Sequence, residues 1–211
     1  MGSESLPEES VEKQDIEKLI IEKFNMNGNG VPFCSKDKTR ITLAELFGEL
    51  GFKVGVELGV WQGWYSATLF NSVPGLHLLC IDPWHSFRRH AQRKMEMCYE
   101  RTCKRLRHKD VEIIRKPSLE AIRDVPDKSL DFVYIDEMHE FDPVMADLIL
   151  WNEKIRSGGI MSGHDYSPPT WYNGVMLAVD TYTKAHDINP WFITSEPSSD
   201  HEAPSFFWVK K

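Results

Sequence analysis

The stretch Val54-Gly55-Val56-Glu57-Leu58-Gly59-Val60-Trp61-Gln62-Gly63-Trp64-Tyr65-Ser66 decides the fold. Val54–Leu58 reads as a short buried strand carrying an acid near its end. A helical pattern over Trp64–Asn71 follows directly, and Gly59 and Gly63 bracket the turn between them. Glycines there let the backbone approach a ligand with no Cβ in the way, and the first N–H groups of the helix have no partner within it. The spacing is E-x-G-x-x-x-G, not the G-x-G-x-x-G of dinucleotide sites, so a pyrophosphate is not the expected ligand.

Reading onward, the next apolar run, Leu76–Ile81, delivers Asp82, 23 residues beyond Gly59. An acid at the carboxyl end of a second strand is placed to accept hydrogen bonds from ribose hydroxyls. Glu57 or Asp82 alone would be read as a strand end capping a turn. Two acids and two glycines in order, at consecutive strand ends, point to a bound ligand instead. Further strand-like runs at Val111–Ile114, Phe132–Ile135 and Gly159–Ser162 alternate with helical patterns at Ser86–Arg107, Leu119–Arg123 and Pro143–Ile155. Short apolar strands joined by helices predict right-handed crossovers and an α/β fold with a parallel sheet buried on both faces. After a helix over Val175–His186, the runs Trp191–Thr194 and Ser205–Lys210 predict an antiparallel hairpin closing one sheet edge.

Upstream, residues 1–9 read as a disordered tail. Ser10 is expected to cap a helix carrying Val11, Ile16, Leu19, Ile20 and Phe24, closed by the turn-rich Asn27–Gly30. Thr42 and Glu45 form a capping box for a second helix that Gly51 ends. The expected organisation is therefore a tail at 1–9, N-terminal helices at 10–52 packing on the core, and a ligand-binding domain at 53–211.

Composition narrows the function. With 211 residues, 41% hydrophobic and 27% charged, the chain has the make-up of one ordinary globular domain. No stretch approaches the roughly 18 apolar residues of a membrane-spanning helix. Met1–Glu9 has no secretory pattern, and Leu6 stands where myristoylation requires Ser or Thr. Cys34, Cys80, Cys98 and Cys103 show neither metal-type spacing nor a disulfide framework, which fits a reducing cytoplasm. A net charge of −7 argues against a general nucleic-acid binder. Yet Arg88–Lys109 holds nine Lys or Arg and two Glu on one predicted helix, either a solvated face or an edge that attracts an anionic acceptor.

From about residue 53 to its end, the chain resembles the class I S-adenosylmethionine-dependent methyltransferases. Val56-Glu57-Leu58-Gly59 with Gly63 is similar to the family's first motif, around the methionine part of the cofactor. Asp82 matches the ribose-binding acid, and Ser118, after Arg115-Lys116-Pro117, falls where the family contacts adenine. The terminal hairpin matches the reversed last strand of this Rossmann-like sheet. The resemblance implies S-adenosylmethionine as cofactor, held by Glu57, Gly59, Gly63, Ser66, Asp82, Ser118 and Asp136. Trp61 and Trp64 are bulky for such a loop.

Two further strand ends carry groups that bind metals or move protons: Asp136-Glu137-Met138-His139 and Gly163-His164-Asp165-Tyr166. Within the class these resemble a bacterial and phage-type subfamily with Asp-Gly-x-His and Gly-His-Asp-Tyr, although Glu137 stands in place of the glycine. More distantly they resemble catechol-type O-methyltransferases, which implies a divalent metal on Asp136, His164 and Asp165. Magnesium prefers oxygen ligands, and the imidazole nitrogen of His164 suits manganese, iron or zinc better. A metal-free alternative makes His139 or His164 the general base, oriented by Asp136 or Asp165. A third reading is a hydrogen-bonded network that only ties two loops together.

No Asn/Asp-Pro-Pro-Tyr and no Pro-Cys follows the fourth strand, which argues against the DNA amine and cytosine-C5 methyltransferases. The expectation is methyl transfer to a small-molecule acceptor, most simply at oxygen, with an anionic or aromatic acceptor and no nucleic-acid or membrane partner. Homo-oligomerisation is compatible with it. Trp171 and Tyr172, on a Pro-rich loop after the fifth strand, are candidates for the acceptor pocket. An iron-dependent hydroxylase-like relative and a cofactor-binding module without catalysis are the competing readings.

Overall fold

The structure, a computed structural model, describes residues 8–26, 31–86, 90–169, 173–195 and 203–211, with side chains from Asp15 onward. Five strands form where the apolar runs predict them: β2 (Val54–Leu58), β3 (His77–Ile81), β4 (Val111–Ile114), β5 (Leu130–Ile135) and β6 (Ile155–Gly163). Together with β1 (Phe33–Cys34), β7 (Phe192–Ile193) and β8 (Phe206–Val209) they make one sheet, in the order β1-β7-β8-β6-β5-β2-β3-β4. β8 pairs antiparallel with both β6 and β7, and every other pair is parallel, so β8 alone runs against the rest. The hairpin does not form the edge as expected. β8 inserts beside β6, and β1, too short for any sequence pattern, covers β7.

Both faces of the sheet are buried, and the side chains divide by the two-residue strand period. On β5, Phe132 and Tyr134 enter one apolar layer while Val133 and Ile135 enter the other, and a register shift before Phe132 turns Leu130 into the second layer as well. On β8, Phe207 and Val209 face the first layer, and Phe206 and Trp208 the second. The first layer is closed by α1 (Glu8–Lys23), α2 (Arg40–Glu49), α3 (Trp64–Ser72) and α4 (Gln92–Arg105). The second is closed by α5 (Ser118–Ala121), the 3-10 turn that follows it, α6 (Phe141–Asn152) and α7 (Val175–Ala185). Ile20 of α1 and Phe24, just after its end, are wholly buried, with Phe24 5.1 Å from the Phe207 ring.

Several boundaries move from their expected places. α1 already includes Glu8 and Glu9, so the helix starts before Ser10. The cap of α2 is Thr39, whose hydroxyl accepts from the Ile41 N–H, and Thr42 lies inside the helix. α4 begins at Gln92 rather than Ser86, and residues 87–89 lie outside the described set. Among the described residues no helix is long and apolar enough to cross a membrane.

The amino ends of β2 and β5 are tied by one carboxylate. Asp131 accepts from the Lys53 and Val54 N–H groups at 2.5 and 2.8 Å, and from Arg156 Nε at 2.7 Å. Burial pushes its carboxyl up, but the two N–H groups and Arg156 outweigh that and hold it below the ordinary range. An acid depressed in the folded state contributes stability above its unfolded pKa and loses it as pH falls through the folded value. Asp131→Ala should destabilise the fold by about 2–3 kcal/mol at neutral pH. In thermal melts against pH, its gap from wild type should narrow below about pH 4.

Candidate functional site

After β2 the chain lays down β3 and β4 on one side, then returns to place β5 on the other. The strand order therefore reverses between β2 and β5, and a crevice opens at the carboxyl edge there. It holds a cavity of about 820 Å³. The sheet ladder continues one residue past the strands, with Gly59 N–H donating to the Ile81 carbonyl and Asp136 N–H to the Leu58 carbonyl. That continuation brings Glu57, Asp82 and Asp136 to one wall.

Gly59 has φ +84, and a Cβ on it would lie 2.1 Å from the Asp136 carbonyl oxygen. The glycine is thus required by the neighbouring chain segment rather than by a ligand. Gly63, at φ +72, faces Thr102 of α4 and Leu106 at its end, and does not line the cavity. Ser66 is wholly buried and donates to the Glu57 carboxyl from behind, so it positions that acid instead of touching the cavity. Burial pushes Glu57 up to about 8, with the Ser66 hydroxyl offsetting part of the shift.

Asp82 accepts from the Trp61 N–H at 2.9 Å and the Trp84 N–H at 2.7 Å, so one carboxylate holds the loops after β2 and β3. Burial raises its pKa, and those N–H groups oppose the rise. Trp61, at φ +53, is pinned further through its carbonyl, which accepts from Trp84 Nε1 and Thr102 Oγ1. Trp84 is wholly buried against Tyr99 and belongs to the core, as does Trp151. The exposed Trp64 carries the Arg105 guanidinium 3.5 Å above its ring, and Arg105 also donates to the Gln62 carbonyl. Part of the basic α4 face thus clamps the glycine turn.

At the β5 and β6 ends, His139 Nε2 lies 3.0 Å from Asp165, and His164 Nδ1 lies 3.3 Å from Asp165 and 3.8 Å from Asp136. Asp136 and His139 line the cavity, whereas His164 and Asp165 stand behind them. The compact donor group is Asp136, His139 and Asp165, whose ligand atoms lie within 4.8 Å of one another. The expected trio with His164 is not the one the backbone gathers. Burial raises Asp136 to about 6, and the nearby His164 opposes this. Asp165 lies well below the ordinary carboxylate range despite burial, because His139 and His164 flank it. His164 is raised, since Asp165 and Asp136 outweigh the burial that would lower it.

Sequence reasoning passes over two wall residues. Arg40, at the start of α2, lies 3.6 Å from Asp136 and 5.3 Å from the Tyr65 ring, a contact no local pattern reveals. Asp147 sits on the apolar stripe Val144, Leu148 and Trp151 of α6, and an acid on a buried stripe was a readable signal. Ser118 lines the cavity, but its hydroxyl donates to Glu137 at 2.7 Å. Trp171 and Tyr172 lie outside the described residues.

The profile of a family described as a methyltransferase domain matches residues 56–166. The chain belongs to this family, the class I S-adenosylmethionine-dependent methyltransferases. Solved structures share the fold at low identity. The O-methyltransferase TomG from Streptomyces achromogenes has TM-score 0.61 and 14% identity, covering 98% of this chain and 92% of that one. An O-methyltransferase from Bacillus cereus has TM-score 0.62 and 13% identity, covering 97% and 93%. The N-methyltransferase NodS from Bradyrhizobium japonicum has TM-score 0.57 and 14% identity, covering 81% and 94%. No curated protein matches the sequence. The turn after β2 leaves Gly59 no room for a side chain. Gly59→Ala should cost on the order of 3 kcal/mol through left-handed strain and overpacking, seen as a fall in melting temperature even without ligand.

Proposed function

We propose that the cavity holds S-adenosylmethionine and that the chain transfers its methyl group to an oxygen of a small acceptor. The charge of the cavity wall carries this reading. Asp82, Asp136, Glu137 and Asp142 line it against one arginine, Arg40, while burial keeps the two further wall acids, Glu57 and Asp147, largely protonated. Such a wall repels a pyrophosphate and attracts a ligand bearing sulfonium and ammonium charges.

In this reading Asp82 accepts from the ribose hydroxyls with the lone pairs its two N–H donors leave. The ammonium faces Glu57 and Asp136, and Arg40 pairs with the carboxylate of the methionine part. When bound, the cofactor supplies an electrophilic methyl group, so the chain's own tasks are to align the acceptor and take its proton. His139 is placed for the second task. With Nε2 engaged by Asp165, proton uptake falls to Nδ1, and Asp165 stabilises the resulting imidazolium. His164 supports Asp165 from behind. Trp61, Trp64, His85 and His90 give the rest of the cavity an aromatic wall, which suits an aromatic acceptor.

The choice of oxygen is supported by the names of the Streptomyces and Bacillus proteins, while NodS is named for nitrogen. A second reading rests on Asp136, His139 and Asp165. Two carboxylates and an imidazole at this spacing fit a divalent ion, manganese, iron or zinc in preference to magnesium. Such an ion would lower the pKa of an acceptor hydroxyl.

Calorimetry should show S-adenosylhomocysteine binding to wild type, and Asp82→Ala weakening it by about 1.5–3 kcal/mol. Unchanged affinity in the variant would remove Asp82 from the ribose site. His139→Ala should cut methyl transfer by about 10²–10⁴ while leaving cofactor affinity intact, with chelators having no effect. Activity lost to a chelator and restored by one particular metal would select the metal reading instead. Absence of any turnover with cofactor affinity intact would leave a binding module.

A further inference from the structure

The cavity has a polar floor, and its mouth carries an indole with one bare face. Glu57 and Asp82, which the cofactor reading uses, are 1% and 7% exposed and lie at the bottom, at the strand ends. Trp64, the first residue of α3, lines the same cavity yet is 66% exposed, more than any other large apolar side chain among the described residues. A side chain at the start of a helix leans back over the chain before it, so the indole stands at the rim, beside the turn that Gly59 and Gly63 bracket.

One face of that ring is already taken. The Arg105 guanidinium lies 3.5 Å from the ring centre and also donates to the Gln62 carbonyl, so it is held at two points. A planar cation on the negative face of an indole fixes the plane of the ring. Among the described residues no second ring or cation stacks on Trp64. Arg105 does not line the cavity and Trp64 does, so the face that meets the cavity is the open one. The neighbouring rings offer no such surface. Trp61 is partly buried, with Lys94 5.1 Å over its ring and His90 set edge-on at 5.0 Å, and Tyr65 is 6% exposed beneath Arg40.

We propose that Trp64 is the platform on which the acceptor stacks, and that the acceptor is therefore a planar aromatic compound bearing the reacting hydroxyl. This rests on the cofactor reading of the cavity. With the cofactor on the floor, the acceptor enters across the rim, where the open indole face meets it. An aromatic ring laid on that face removes apolar surface from water and adds the attraction between stacked rings. A saturated ring of similar size is puckered, makes fewer close contacts and gains less. Arg105 is a positioning residue in this arrangement. By holding the indole in one plane it reduces the ordering that docking would otherwise demand.

The test uses two probes that differ only in the ring, 4-hydroxybenzoate and 4-hydroxycyclohexanecarboxylate, titrated by calorimetry into protein saturated with S-adenosylhomocysteine. Both carry one hydroxyl and one carboxylate, so charge and hydrogen bonding largely cancel in the ratio of their affinities. Wild type should bind the aromatic probe about fivefold tighter, the worth of one stacked ring pair. Trp64→Leu should bind the two alike, and Trp64→Phe should restore most of the preference. Arg105→Met, which leaves the indole without its backing, should reduce the preference without abolishing it. A ratio measured on one protein does not depend on how much of it is folded. If Trp64 only holds the turn, its leucine variant weakens both probes together and keeps the ratio, and the proposal is overturned. It is overturned equally if wild type binds S-adenosylhomocysteine but takes both probes alike, or neither. In these cases the cofactor reading stands. Failure of wild type to bind S-adenosylhomocysteine overturns that reading, and the proposal with it.

Discussion

The site depends on how closely the chain after β2 can approach the chain after β5. A side chain on Gly59 would sit inside the Asp136 backbone. Because none is present, the two strand ends close together, and the ladder runs on through the Asp136 N–H to the Leu58 carbonyl. That approach sets Glu57 and Asp136 side by side, and around Asp136 stand Arg40 on one side and His164 and Asp165 on the other. A parallel sheet gives no hydrogen bonds of its own beyond its strand ends, so such a contact is what converts sheet order into site geometry.

The second organising device is electrostatic. The wall gathers acids without matching them by bases, and two respond by rising far above the usual carboxylate range, Glu57 to about 8 and Asp147 to about 9. An unliganded protein carries this as a cost, since burial disfavours the charged form and like charges disfavour it further. The Asp136, His139, His164 and Asp165 group solves the same problem differently. Two imidazoles hold Asp165 ionised while Asp136, shared with Arg40, is raised only to about 6. One cavity wall thus holds carboxyls kept neutral by burial, Glu57 among them, directly beside a group whose charges balance one another.

The sheet was legible because buried parallel strands announce themselves as short apolar runs, and β2 and β4 fall within the predicted bounds. Asp82, Asp136 and His139 were legible for the same reason, since a residue following a recognisable strand inherits a known place at the sheet edge. What failed was whatever depended on direction rather than position. Gly63 and Ser66 follow the expected turn but do not line the cavity, and His164 and Asp165 both stand behind Asp136 and His139. Backbone geometry decides such cases: Asp165 at φ +59 and Trp61 at φ +53 are left-handed although neither is a glycine. β1 and Arg40 were illegible because two-residue strands and long-range ion pairs leave no local pattern.

The basic run on α4 had two readings, a solvated face or an edge for anions, and its geometry supplies a third. Arg101 reaches the Gln62 side chain, Arg105 reaches the Gln62 carbonyl and stacks on Trp64, and Lys94 lies over the Trp61 ring. Each of these cations is paired with the turn between Gly59 and Gly63. Trp61 and Trp64, bulky for a turn bracketed by glycines, make sense as handles for them. A stacked guanidinium is held at both the ring and the carbonyl, so it fixes the turn more firmly than a flexible glycine loop could fix itself. The turn's rigidity then comes from outside it, from α4, and the glycines are left to serve close approach alone.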